Sequence, residues 1–314
     1  MLSFEFEYGE LRAAGVIDDA AAAQGIAAER GTIFSVSEEL RVSLYAAVAA
    51  ITTGVGIFLK ANLHRIGPSS LIVALALAAA ACYATAVRSR LRRETRSAAG
   101  EYVLLLGALL VSADLGYAES QFHWLDSHWS LHLLILFFLH AVTAYVLNSR
   151  LVLSVSITLL AAWFGIEGNF VKSFALGYAL SEAGIRAVLC GSVIFVWREI
   201  DRRLSATRLF QETFEHFAAN LGFWGALALC LGPRRFLGAV CLGALALVTI
   251  RHGLQTSREI FVIYGVGYTT LGLFCLEVQL IGYGVLAAIT ALATVVGAVT
   301  LMWQLHRAIR AAAP

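Results

Sequence analysis

Charge is scarce in this chain. Of its 314 residues 14% are charged and 59% are hydrophobic, against about a quarter charged in an ordinary soluble domain. So few charges cannot cover a water-facing surface, and the mean hydropathy of +0.77 points to lipid as the surrounding medium. Proline is nearly missing: Pro68, Pro233 and Pro314 lie in connections or at the end. The apolar runs therefore contain no proline break, which fits a chain that is nearly all helix. Lysine is missing too, apart from Lys60 and Lys172, a bias of composition rather than function. The five cysteines, Cys82, Cys190, Cys230, Cys241 and Cys275, sit inside apolar runs with no CxxC pair. That excludes a disulfide framework and a thiolate metal site as readings. The net charge of +2 gives no reason to expect a nucleic-acid partner. No phosphate loop, dinucleotide fingerprint, nucleophile elbow or HExxH is present.

What is present is a series of apolar runs. About 20 such residues cross the hydrocarbon core as a helix. Ten candidates span 40–59, 69–87, 101–118, 129–147, 151–166, 183–197, 213–231, 236–250, 259–276 and 281–303. The sixth and eighth look short. The fourth and fifth are separated only by Asn148, Ser149 and Arg150, room for a tight helical hairpin. The runs lack the alternation of a lipid-facing barrel. The expected fold class is an all-α, polytopic transmembrane helical bundle of about ten spans. Residues 1–39 form an N-terminal cytoplasmic helical segment, 40–303 the membrane domain and 304–314 a cytoplasmic tail. The first 39 residues carry acids and no long apolar run, so they do not read as a secretory signal peptide, and the first span would drive insertion. Within them, Leu11, Val16, Ile17 and Ile26 suggest a small apolar face, and Asp18 reads as the N-cap of a second short helix.

Basic residues in alternate connections set the orientation. With the N-terminus inside, sixteen Lys and Arg residues fall on the inner side, with clusters at Arg88–Arg96 and Arg198–Arg208, and five on the outer side. Both ends are expected in the cytoplasm. The inner clusters suit anionic headgroups.

The stretch from Leu11 to Ile17, Leu-Arg-Ala-Ala-Gly-Val-Ile, and the span from Glu101 through Gly107 to Gln121-Phe122-His123 resemble a family of bacterial membrane proteins known as domain of unknown function 2157. The resemblance covers roughly residues 8–166 and fades afterwards. It implies a multi-span protein of the bacterial inner membrane and supplies no activity.

Polar groups at span ends are the candidate site residues, because a charge within a span costs about 2.5–3.5 kcal/mol. Asp114, Glu119, Gln121, His123, Asp126, His128 and His132 gather at the expected outer end of the third span. His128 and His132 are four apart, the spacing of zinc ligands on one helix face. With His123 they are the metal candidates, set against a plain interfacial belt containing Phe122, Trp124 and Trp129. Glu101, Gly107, Glu119 and Gln121 match Glu259, Gly265, Glu277 and Gln279 at one constant offset. If that echo is a repeat, two Glu-x-Gln ends would face one central site. His140, near mid-span, reads as a neutral histidine bonded to a neighbouring helix, with haem ligation the sharper alternative. Glu182–Arg186 and Glu199–Arg203 read as local ion pairs. Gly54-x-Gly56, Gly222-x-x-Gly225, Gly265-x-Gly267 and Gly282-x-Gly284 are expected to let helices approach closely.

Two functions stay open: transport of a small solute or ion, and a structural or accessory subunit of a larger membrane complex. A membrane enzyme is third and needs the histidine cluster to bind metal. The expected partners are the lipid bilayer and other membrane subunits, and the cofactor is unknown.

Overall fold

Apolar helices terminated by arginine-rich or glycine-containing turns account for the architecture. A computed structural model describes residues 8, 11–12, 15–29, 36–62, 67–91, 98–125, 128, 130–165, 177–204, 209–282 and 284–312. Among the described residues there are helices and turns and no strand. The helices are α1 (Asp19–Glu29), α2 (Val36–Asn62), α3 (Pro68–Leu91), α4 (Ala98–Phe122), α5 (Leu131–Val146), α6 (Arg150–Trp163), α7 (Gly177–Leu204), α8 (Gln211–Leu231), α9 (Arg235–Thr256), α10 (Glu259–Ile281) and α11 (Val285–Ala312).

Each of the ten expected spans coincides with one helix from α2 to α11. Among the described residues, however, six of these helices are long and apolar enough to cross a membrane: α3, α4, α7, α9, α10 and α11. The span count of about ten is therefore not reached on these grounds. In α2 the described apolar stretch runs Val42–Gly54 and the side chain of Val55 lies outside the described residues, while α5 and α6 are short outright. In α8 the reason is chemical: Glu212, Glu215, His216 and Asn220 occupy its first half. The chain is nonetheless a multi-pass helical membrane protein.

The sixth and eighth segments are not short. α7 has 28 residues and α9 has 22. The apolar window of α7 ends at Trp197, but the helix continues through Arg198 to Leu204 because its charged residues find partners. Arg202 and Arg203 both bond Glu199, at 2.7 and 3.2 Å. α10 likewise continues past Leu276 to Ile281, until Gly282 at φ +80° stops it in a conformation that suits glycine.

The chain divides into two compact units, Met1–Val111 and Ser112–Pro314. In the first, Asp18 Oδ1 accepts from the amide of Ala21 at 2.6 Å, so the expected N-cap is in place. Of the expected apolar face, Leu11 and Val16 are exposed, Ile17 is half-buried, and the side chain of Ile26 lies outside the described residues. On α3, Leu71, Leu75, Ala79 and Ala86 are buried at helical spacing, while Val73 and Leu77 face outward. The buried side of α3 receives Gly107 of α4, beside Cys82 and Tyr83, and Tyr45 meets Tyr102 edge-on at 5.5 Å.

The second unit holds the site. α5 and α6 form the expected tight hairpin. Asn148 takes φ +46°, and Ser149 Oγ accepts from the amide of Val152 as the N-cap of α6. α7 and α8 run antiparallel in backbone contact. A Cβ on Gly191 would lie 3.0 Å from both the carbonyl of Ala218 and the amide nitrogen of Gly222. Gly225 and Gly184 meet in the same way one to two turns further on. The glycine expectations divide here. Gly222, Gly225 and Gly265 sit against neighbouring helices, whereas Gly54, Gly56, Gly267, Gly282 and Gly284 have open space around them. α8 and α10 are parallel, with α9 returning between them. His216 pairs with Tyr264, Asn220 with Tyr268 and Cys230 with Gln279, a nearly constant offset along both helices.

Candidate functional site

The end of α7 and the start of α8 converge on a carboxylate. Glu215 lies one turn into α8, and its side chain is 9% exposed. Arg198 of α7, itself 13% exposed, donates from Nη2 to Glu215 Oε1. Arg258, just ahead of α10, donates from Nη1 to Oε2 at 3.3 Å. His252, in the last turns of α9, brings Nε2 to 3.5 Å from Oε1. One acid thus faces two arginines and a histidine drawn from three other parts of the bundle. Even with Glu215 ionised the cluster keeps a positive excess.

Its surroundings are aromatic. Trp197 packs on Phe214 at 4.9 Å and on Phe137 at 5.5 Å, and Tyr145 meets Phe210 at 5.0 Å. Phe261 meets His252 edge-on at 5.0 Å, and the low exposure of Arg198 and Glu215 strengthens their pairing and raises the cost of breaking it. Neighbouring polar pairs extend the arrangement. Tyr145 donates to Asp201 at 2.8 Å, and Arg150 of α6 donates to Glu212 at 3.0 Å. Further along α8, His216 Nδ1 meets Tyr264 Oη at 3.1 Å, and Tyr268 donates to Asn220 Oδ1 at 2.7 Å. These pairs carry polar groups into the span with their hydrogen bonds made.

Two buried atoms in the cluster have no hydrogen-bond partner among the described residues: Arg198 Nε and His252 Nε2. Both can donate. The site thus has more donor capacity than Glu215 uses.

The residues expected from sequence are placed differently. Glu119 is buried, and both its oxygens accept from the amide of Leu125, at 3.1 and 3.3 Å, closing the turn after α4. Gln121 is exposed. Asp114 lies on α4 with Oδ1 buried and without a partner. Glu277 accepts from Thr294 of α11, and Gln279 Nε2 donates to the carbonyl of Cys230 at 3.0 Å. The two Glu-x-Gln ends thus hold different local partners: one closes a turn, the other ties α10 to α8 and α11.

His123 is exposed at φ +51°, His128 is exposed, and His132 is partly buried on α5. Asp126 and Trp129 lie outside the described residues. Among the described residues no group of three or more His, Cys, Asp or Glu side chains is arranged to hold a metal ion.

His140 is fully buried and meets Ser112 Oγ of α4 through Nε2 at 2.9 Å, the interhelical bond expected from sequence. Replacing Ser112 by alanine would leave that nitrogen unpaired. The expected loss is about 1–3 kcal/mol of stability, measured as a lowered midpoint of unfolding in detergent. Glu182 and Arg186 approach to 3.9 Å as an exposed local pair, again as expected.

Glu215 is the residue that sequence reasoning missed. In the sequence Arg198 stands out only as part of an inner basic cluster. The available signal was an acid placed one turn inside a helix whose second half is apolar, in a run with Glu212, His216 and Asn220.

Residues 9–153 match the model of a family described as predicted membrane protein (DUF2157). The match supports the resemblance found in the N-terminal half and ends thirteen residues short of the expected limit at 166. It stops at the start of α6, ahead of every residue that contacts Glu215. No curated protein and no solved structure matches the chain.

Proposed function

We propose that this protein carries a small solute or ion across the bacterial inner membrane, and that the Arg198–Glu215–Arg258 cluster with His252 is an ionic latch on the cytoplasmic side. The observation behind the reading is one nearly buried carboxylate shared by basic groups from α7, the end of α9 and the start of α10. A bundle that needed only to be stable would gain as much from apolar packing at that position. A multi-helix ion pair offers something that packing does not: a contact which a competing charge can open. Counting arginines puts both chain ends, and so the junctions α7–α8 and α9–α10, on the cytoplasmic side. Opening the latch there would expose the polar pairs along α8 and α10 to that side.

The test is flux in proteoliposomes. Purified protein is reconstituted, and gradients of protons, sodium, potassium, chloride, acetate, phosphate and amino acids are applied in turn. Transport of at least one of them above protein-free vesicles is expected, and Glu215→Gln should change its rate by about tenfold or more, the effect of an energy difference near 1.4 kcal/mol. Absence of flux for the whole panel would remove the transport reading.

A second reading has its own observation. Among the described residues none of the most apolar stretch of α11 is buried, and α10 and α11 enclose an open groove of about 810 Å³ between Val266, Val299, Trp303 and their neighbours. An accessory subunit would place a partner helix there. Purification from native membrane in a mild detergent separates the two: a stoichiometric companion protein favours the subunit, and a lone chain favours the transporter.

A further inference from the structure

We infer that Glu215 is a tethered occupant of an anion site, and that the site built by Arg198, His252 and Arg258 takes a small carboxylate-type oxyanion when Glu215 withdraws. The inference deepens the transport reading by naming its substrate class, and rests on that reading for its role in the protein.

The argument begins with charge. Two guanidinium groups face a single carboxylate, so the surroundings of Glu215 stay positive with Glu215 in place and become more so without it. Geometry points the same way. The donors come from α7, the end of α9 and the start of α10, and they surround the carboxylate rather than lying along one helix. Arginine's planar fork suits a carboxylate held through two oxygens. Glu215 uses Nη2 of Arg198, while Nε of the same guanidinium is buried with no hydrogen-bond partner. Nε2 of His252 is likewise buried and makes no hydrogen bond, although it lies 3.5 Å from the carboxylate. A free carboxylate, unconstrained by the α8 backbone, can rotate to engage donors that the tethered one leaves idle. The chain holds its own competitor, and a solute anion enters by exchanging for it.

The experiment is chemical rescue. Glu215→Ala opens the site, and acetate is the probe, with acetamide as its neutral counterpart of similar shape. The variant in lipid nanodiscs should unfold roughly 10 °C below the parent, as loss of one partner of a buried pair implies. Acetate should restore at least half of that shift, acetamide none, and the parent should respond to neither. A fall that acetate leaves unchanged, or that acetamide reverses equally, overturns the proposal. If Glu215→Ala is recovered from membranes only when acetate is present during expression and extraction, the proposal stands; recovery with acetamide alike overturns it.

Glu215→Gln supplies the second arm. By calorimetry it should bind acetate at least tenfold more tightly than the parent, and equal affinity in a folded variant overturns the proposal. Rescue without any flux in the parent protein would remove the transport reading and leave the anion site. Flux without rescue would do the reverse.

Discussion

Glu215→Gln is expected to lower the stability of the membrane domain by about 3–5 kcal/mol. The amide can still accept one hydrogen bond, but the Arg198 guanidinium then lies 13% exposed without its counter-charge. The effect comes from the charge left behind rather than from the contact removed, and this gives the prediction a second part. Replacing all three charges together, with Arg198→Met, Glu215→Leu and Arg258→Met, should cost less than Glu215→Gln alone, because no uncompensated ion remains. Unfolding in a graded detergent mixture, followed by the fluorescence of Trp197 and the other tryptophans, gives both values. A loss under about 1 kcal/mol for the single variant would place the pair with water-exposed ion pairs. Arg258, at 47% side-chain exposure, is already half in that class. Arg258→Met alone should therefore have the smaller effect.

Gly225→Leu is the other large effect. A Cβ at Gly225 would sit 2.6 Å from the carbonyl oxygen of Gly184 and 2.8 Å from the amide nitrogen of Val188. Both obstacles are backbone of α7, so no side chain can turn aside, and the helices must separate. Overpacking usually costs about 1–3 kcal/mol, and more when backbone is displaced. Close approach of small residues is also the main source of helix association where lipid replaces water. Separation of α7 from α8 also pulls Arg198 away from Glu215, so Gly225→Leu should both destabilise the protein and alter whatever flux the parent shows. Gly54→Leu is the matched control. Nothing lies within 4 Å of a Cβ there, and the unfolding midpoint should not move.

The two halves of the problem were unequally legible. Helix positions followed from composition, because an apolar run in this chain has no proline or strand alternation to compete with. The Asp18 cap, the hairpin at Asn148-Ser149 and the pairs Glu182–Arg186 and Glu199–Arg203 involve residues within a turn of each other, and local spacing reveals them. His140 was legible for another reason: a buried imidazole must find a hydrogen bond, whatever supplies it. The Glu215 cluster offered no such handle. Its acid is 17 residues from Arg198 and 43 from Arg258, and nothing in either neighbourhood encodes the meeting. Glu277 and Gln279 are the opposite case. Their repeat-like spacing stands out, and each is bonded to an adjacent helix although Gln279 is exposed and Glu277 half-buried. Segment length was misread at α7 because the hydropathy window ends where the ion-paired part of the helix begins.

The hairpin of α5 and α6 bears on the membrane as well as on the chain. With 16 and 14 residues, these helices extend for about 24 and 21 Å at 1.5 Å per residue, against an oily interior about 30 Å thick. Lipids next to them must compress, or the pair must enter from one leaflet and turn back. A pair that crosses meets a bilayer locally thinner than its surroundings. Each ångström of mismatch costs a fraction of a kcal/mol, so short-chain lipids should gather beside these two helices in preference to long-chain ones.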